Sequence, residues 1–286
     1  MSAAASVEEF APAKVNLSLK VLGRRSDGYH ELESLVVFAR AGDRLTAHAA
    51  ADLSLDISGP FGATLASEGD NLVLRAGRLL AGELGREAGA HLLLEKNLPV
   101  ASGIGGGSAD AAAALRALAR LWDIETSEEQ LAALALSLGA DVPVCLDARP
   151  AFMQGRGERI SRIEGLPGFA LLLVNPGVAV STAAVFKALA APVLAKDFAA
   201  SKTPTFSTLD ALVAWLHANG NDLEAPARGI APVIGDVIAA IGATRGCRLA
   251  RMSGSGATCF GVYASEDDAR AAADAVARPG WWVAVA

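Results

Sequence analysis

Four glycines stand within five positions, Gly103, Gly105, Gly106 and Gly107, and the run that follows, 111–122, is rich in alanine and leucine and therefore helical. Glycines at such a junction let backbone amides crowd around a tetra-oxygen anion where the helix dipole is positive. Phosphate binding is the chemistry this spacing suits. A flexible turn between a strand and a helix uses the same glycines, and the motif alone leaves both readings open. Ser108 could bond a phosphate oxygen, ligate magnesium or cap the helix. Asp110 reads as a first-turn acid that suits the dipole and points away from bound phosphate. Far upstream, Lys14 and Asn16 lie two apart in a strand-like run, so both side chains leave one face about 6.6–7 Å apart along the chain. Both could touch one substrate; a solvated strand face would carry the same pair. Asp141 stands between Gly139 and Pro143, where it could serve as a base or cap the next helical turn. Tyr29 and His30 offer an aromatic face and a hydrogen-bonding edge for a flat heterocycle, or a half-buried strand end.

These residues need elements to hold them. In residues 13–21, Val15, Leu17, Leu19 and Val21 alternate with Lys14, Asn16, Ser18 and Lys20, predicting a strand with one core face and one polar face. Residues 29–38, 44–49 and 53–58 read as further short strands, separated by Gly-Asp and Gly-Pro punctuation. A helix is expected over 71–84, a strand at 92–96, the glycine-rich segment from Pro99, and the helix 111–122. Ser127 and Gln130 form a capping box for a helix that stops at Gly139. Beyond about residue 165 the expectation is strand 169–174, helix 182–189, a looser stretch 195–207 that is the best linker or mobile-loop candidate, and helices near 209–218 and 230–241. Strand 248–252, a second glycine-rich turn at 253–258, strand 259–263, helix 266–276 and strand 281–285 complete the chain. That second turn is a tight hairpin, or it closes over phosphates with its amides and the Thr258 hydroxyl. Mixed order of this kind fits an α+β fold better than a doubly wound parallel sheet. Two domains are expected, 1–165 and 166–286.

The 286 residues are 52% hydrophobic and 20% charged, enough to bury one large core or two moderate ones. Mean hydropathy is positive, yet no apolar run approaches the ~18 residues of a membrane span. The N-terminus lacks the basic and apolar regions of a secretory signal, which points to the cytoplasm. Cys145, Cys247 and Cys259 are odd in number and widely spaced, so they read as buried, reduced filler. A net charge of −6 disfavours nucleic acid and anionic membrane surfaces as partners. Any anionic ligand must be held locally.

Two familiar nucleotide motifs are absent. There is no Gly-x-x-x-x-Gly-Lys-Ser/Thr, and a dinucleotide fingerprint belongs at the first strand-to-helix turn rather than after a β meander. Four stretches instead occur in a telling order: Ala11-Pro-Ala-Lys14-Val-Asn16-Leu, Pro99-x3-Gly103-Ile-Gly105-Gly-Gly-Ser108-x-Asp110, Gly139-Ala-Asp141-Val-Pro143, and Met252-Ser-Gly-Ser-Gly256-Ala-Thr-Cys-Phe. Together they resemble the small-molecule kinases of the galactokinase, homoserine kinase, mevalonate kinase and phosphomevalonate kinase superfamily. The phrase Arg24-Arg-Ser-Asp-Gly-Tyr29-His30-Glu-Leu-Glu-Ser34 matches a single branch, whose acceptor is a cytidine diphosphate-linked methylerythritol.

The resemblance implies an N-terminal half like ribosomal protein S5 domain 2 and a ferredoxin-like C-terminal half, with ATP and substrate in the cleft between them. It implies transfer of the ATP γ-phosphoryl to the 2-hydroxyl of the cytidine diphosphate-linked alcohol, in the non-mevalonate route to isoprenoid precursors. Lys14 and Asp141 carry over as the catalytic pair and Asn16 as a substrate-positioning group. Pro99, Val100, Ala101, Ser102, Gly103, Ile104, Gly105, Gly106, Gly107, Ser108 and Ala109 carry over as the ATP loop. Tyr29, His30 and Phe186, which follows Asn175-Pro-Gly, would hold the cytosine. Ala109 departs from the family's usual second serine, which removes one hydroxyl while leaving the amide cradle. Mg2+ is expected as the counter-charge on ATP, with Ser108 as the one protein ligand suggested. A monomer or weak homodimer is expected.

Phosphoryl transfer through a loose transition state needs alignment and charge stabilisation more than a strong base, and an ordinary carboxylate with a lysine beside it can supply both. Three rivals remain: another kinase of the same superfamily, acting on homoserine or mevalonate; a non-catalytic RNA-binding module, which the acidic charge opposes; and a nucleotide-binding dehydrogenase, disfavoured because no ribose-reading acid follows the glycines by about 20 residues after a first strand.

Overall fold

The computed structural model describes residues 6–65, 71–83, 89–195 and 199–286. In chain order its strands and helices are β1 (Ser6–Asn16), β2 (Lys20–Arg24), β3 (His30–Ala49), β4 (Leu53–Ser58), α1 (Leu72–Glu83), β5 (Ala90–Glu95), α2 (Gly106–Leu121), α3 (Glu128–Leu138), β6 (Ala151–Gly155) and β7 (Arg159–Arg162). There follow β8 (Ala170–Asn175), α4 (Thr182–Leu189), α5 (Leu209–Ala218), α6 (Glu224–Ile230), α7 (Val233–Gly242), β9 (Leu249–Met252), β10 (Cys259–Tyr263), α8 (Glu266–Val276) and β11 (Trp282–Val285). The chain forms two compact units, one of residues 1–13, 41–100 and 105–148, the other of residues 14–40, 101–104 and 149–286.

In the first unit, β4 runs parallel to β5, and β5 pairs antiparallel with the second half of β3, Arg44 opposite Glu95 and Ala49 opposite Ala90. Helices α1, α2 and α3 pack on one another, and α1 also packs on β4. Helix α2 contributes Ala111, Ala112, Ala113, Ala114, Leu115, Ala117 and Leu118, all fully buried, so its small residues let neighbours approach closely.

In the second unit, the first half of β3 pairs antiparallel with β2 and with β6, and β6 pairs with β7. A separate antiparallel sheet has the order β11-β8-β10-β9, with α7 and α8 packed on it. That order is the ferredoxin-like one expected of the C-terminal half. Its core includes Leu172, Val174, Ile234, Val237, Ile241, Met252 and Tyr263, each shielded from solvent.

Several elements differ from the sequence reading. The first strand ends at Asn16, because the amides of Leu17 and Ser18 both reach the Leu35 carbonyl, at 2.8 and 3.4 Å, and the ladder cannot continue. Its polar face is not solvated: Lys14, Asn16 and Ser18 are 3%, 4% and 2% exposed. Residues 29–38 and 44–49 belong to one long strand, and Gly42 within it marks close approach rather than a turn, since a Cβ there would lie 2.5 Å from the Ala11 carbonyl oxygen. The helix expected from 111 starts at Gly106, so Asp110 lies beyond the first turn. Residues 230–241 are interrupted at Pro232, which caps α7 and separates it from α6. Strands β6 and β7 had no clear signal, being short and unmarked by alternation. In the looser stretch, 196–198 lie outside the described residues, while Ser201 is pinned, its amide donating to Glu33 Oε1 at 2.6 Å and its carbonyl accepting from Gln154 Nε2 at 3.0 Å. The capping box at Ser127 and Gln130 forms as read. Cys145 and Cys259 are buried, Cys247 is partly so, and all three are free thiols. No described helix is long and apolar enough to cross a membrane.

Candidate functional site

The glycine-rich segment leads straight into α2, whose N-cap is Gly105 in the left-handed region at φ 64°. No side chain caps this helix, so Ser108 is a residue of its first turn rather than its cap. The first intrahelical bond is Ala109 N–H to the Gly105 carbonyl at 2.9 Å, and the amides before it have no partner within the helix. A sixteen-residue helix thus presents uncapped donors at its positive end, an arrangement suited to phosphate. The methyl of Ala109 is buried.

Behind this turn the first unit holds a cluster that the sequence reading missed. Lys96, just past β5, hydrogen-bonds both Asp43 Oδ2 and, at 2.6 Å, Asp110 Oδ2. Asp43 Oδ1 accepts from the amides of Asn97 and Leu98 at 2.6 and 2.9 Å. All three side chains are nearly solvent-free. Burial pushes the Asp110 carboxyl up to about 8; Lys96 opposes that shift and the Asp43 charge reinforces it. Burial works against the Lys96 ammonium as well, but Asp110 and Asp43 together outweigh it and raise its value. Asp110 Oδ1 is buried without a partner. Lys-Asn-Leu-Pro before the glycines was the available signal, but three charges spread over 68 positions show no spacing that would announce them.

In the second unit, Lys14 and Asn16 do share a face: the Lys14 ammonium donates to Asn16 Oδ1 at 3.2 Å. Asn16 Nδ2 donates to Ser34 Oγ at 2.7 Å, and Ser34 Oγ to the Ser18 carbonyl at 2.6 Å. This chain of donors fixes which way the Asn16 amide faces and so orients the ammonium. Ser253 Oγ accepts from the Asn16 amide and donates to the Gly103 carbonyl, both at 3.0 Å. Gly103 itself, at φ 75°, has no room for a side chain, since a Cβ would lie 2.5 Å from the Ser253 carbonyl oxygen. The second glycine-rich turn therefore braces Gly103 through the Ser253 side chain and Ser102 through backbone, the Thr258 amide donating to the Ser102 carbonyl at 3.0 Å. The Thr258 hydroxyl is fully buried and accepts from Asn175 Nδ2 at 2.9 Å.

The aromatic candidates also fall in the second unit. His30, at the start of β3, stacks on Phe186 of α4 with ring centroids 4.6 Å apart and planes 24° from parallel. Burial, and then the nearby Arg24 charge, hold the His30 imidazole below its ordinary value, so the ring is neutral at pH 7. Tyr29 is exposed, with the Arg156 guanidinium 4.8 Å above its ring. Around them Glu31 is gripped by Arg25, at 2.8 Å, and by Arg159. Asp141 belongs to the first unit, half-buried just after α3. The short 3-10 turn at Pro143–Cys145 is capped by Val142 with no side-chain bond, so Asp141 is not its cap.

Comparison with known proteins adds an independent line. Residues 71–149 match the family described as the GHMP kinases N terminal domain, and residues 194–280 the GHMP kinases C terminal domain. A 4-diphosphocytidyl-2-C-methyl-D-erythritol kinase from Parvibaculum lavamentivorans is 60% identical over 281 residues, covering 98% of this chain and 97% of its own. A crystal structure of 4-(cytidine 5'-diphospho)-2C-methyl-D-erythritol kinase superposes with a TM-score of 0.75 at 37% identity, covering 98% of each chain. A homoserine kinase from Cytophaga hutchinsonii shares the fold, with a TM-score of 0.70 at 20% identity over 100% of this chain and 96% of its own.

Proposed function

The chain belongs to the GHMP kinases, and on that premise we propose that it transfers the γ-phosphoryl group of ATP to the 2-hydroxyl of 4-diphosphocytidyl-2-C-methyl-D-erythritol. The observation that carries the acceptor is the stack of His30 on Phe186. These rings lie 156 positions apart in sequence, and a pair at stacking distance is a platform that a third flat ring, such as cytosine, extends. A neutral imidazole suits that role, because stacking a third ring on it buries no charge. Tyr29 beside it supplies a further exposed face.

The uncapped first turn of α2 supports residues 99–109 as the triphosphate site. Lys14, oriented through Asn16, is suited to stabilise charge on the transferring phosphoryl group. Asp141 orients the acceptor hydroxyl and takes its proton late in the reaction, which is all that a loose transition state requires. Among the described residues no group of three or more His, Cys, Asp or Glu side chains is arranged to cage a metal. A magnesium ion carried on the triphosphate oxygens would have the Ser108 hydroxyl, in the first turn of α2, as a candidate protein ligand. When bound, magnesium neutralises charge on the phosphates. Residues 1–165 would supply the ATP-binding and catalytic groups together with Tyr29 and His30, and residues 166–286 the remaining substrate-binding half with Phe186. ATP and a nucleotide-linked alcohol are charged molecules that do not cross membranes unaided, which supports the cytoplasm as the compartment.

A coupled assay of ADP release across acceptor alcohols tests this reading. The cytidine-linked acceptor is expected to turn over while homoserine, mevalonate and galactose do not. Turnover of one of those alcohols with none for the cytidine-linked compound would overturn it. Isothermal titration with cytidine diphosphate, expected to show binding that weakens about tenfold in Phe186→Ala, tests the acceptor pocket apart from the ATP loop.

A further inference from the structure

We propose that Lys96, Asp43 and Asp110 form a positioning clasp that holds both ends of the glycine-rich segment in its ATP-binding shape. The inference rests on residues 99–109 being the ATP loop and adds three residues outside it. Its basis is where the cluster's bonds go. Asp43 grips the amides of Asn97 and Leu98, the last residues before the segment begins. Asp110 lies on α2, into which the segment feeds, and Lys96 bonds Asp110 and Asp43 with one ammonium. The ammonium also lies against the helix start, since a Cβ on Gly106 would sit 3.5 Å from Lys96 Nζ and 3.7 Å from Asp43 Oδ2. One charged group therefore ties the strand exit to the helix entrance.

The segment between those anchors needs such a tie. Ala101, Gly103 and Gly105 all sit at positive φ, 50°, 75° and 64°, and Ala101 holds that conformation against its own Cβ. Strained backbone of this kind persists only where surrounding contacts over-determine it. The cluster is also poorly explained as a device for stability alone. A buried ion pair is commonly no more stabilising than well-packed apolar residues of similar volume, and this one leaves Asp110 Oδ1 buried and unpartnered. What these polar side chains offer that leucines do not is directional bonds, to one another and, through Asp43, to particular backbone amides.

Kinetics of the full-length enzyme test this. Lys96→Met and Asp110→Ala are each expected to raise the KM for ATP about tenfold or more, leaving the KM for the cytidine-linked acceptor within about twofold of the parent. Asp110→Asn, which keeps an oxygen for Lys96 to bond, is expected to hold the ATP KM within about threefold. A lower melting temperature with an unchanged ATP KM in Lys96→Met and Asp110→Ala would overturn the clasp and leave the cluster merely structural. Hydrogen exchange of the unaltered protein without ATP decides the matter even where a variant does not fold. The amides of Asn97 and Leu98, which donate to Asp43, are expected to be protected as strongly as the core, and fast local exchange there overturns the proposal. Gly105→Val, strained at its positive φ, separates the two readings. If it leaves the ATP KM unchanged, the ATP-loop reading itself fails; if it raises the KM while Lys96→Met and Asp110→Ala do not, the clasp alone fails.

Discussion

Around Gly105 the protein offers backbone amides, a helix dipole and a buried trio of hydrogen-bonded titratable side chains; around His30 it offers ring faces, a neutral imidazole and half-exposed guanidinium groups. The first region is made of groups that every residue carries, so its side chains matter mainly by being absent or by holding the backbone still. The second is made of side chains that give their chemistry directly. Backbone donors suit a phosphate group of fixed shape and charge. Rings and hydrogen-bonding edges suit a heterocycle, where the neighbouring side chains decide which ring fits. In a family whose members share a donor and differ in acceptor, this division lets one region stay constant while the other varies.

The largest expected effect lies in neither grip. Asp141→Asn should leave the KM for ATP near the parent value and cut kcat by about 10²–10⁴-fold, the range of a lost general base. Steady-state kinetics with the cytidine-linked acceptor read this, and a variant with the parent's kcat removes Asp141 from the chemistry. Phe186→Ala sharpens the contrast next: the KM for the acceptor should rise about tenfold, in line with a lost aromatic pair and its burial, while the KM for ATP stays put. An equal rise in both constants would dissolve the distinction between the regions.

A smaller effect concerns the charged cluster. Asp110 has its ordinary value of 3.8 when unfolded and about 8 in the folded chain. Its contribution to stability is therefore complete below about pH 4 and is lost as pH rises through about 8. Asp110→Asn carries no such penalty, so its melting temperature relative to the parent should climb between about pH 4 and 8. A constant difference across that range would show that Asp110 ionises normally. The smallest effect belongs to a helix far from either grip: Ser127→Ala removes the capping box of α3 and should cost about 1 kcal/mol of stability in denaturant unfolding, with kinetics unchanged.

Local chemistry explains what could be read without a structure. Strand 53–58, the helices opening at Ser127, Thr182 and Glu266, and strand 259–263 follow from alternation, caps and glycine stops, which act within a few residues. Four ordered motifs pointed to the kinase superfamily because the chemistry of phosphate and hydroxyl needs those residue types whatever surrounds them. Tertiary structure decided the rest. Lys14 and Asn16 are buried rather than solvated, with Asn16 bonded to Ser34 and Ser253, His30 meets Phe186, and Lys96 draws in Asp43 and Asp110. Each of these is a contact between residues far apart in the chain. Burial and pairing at that range depend on which elements pack together, a property of the whole fold that no short window of residues contains.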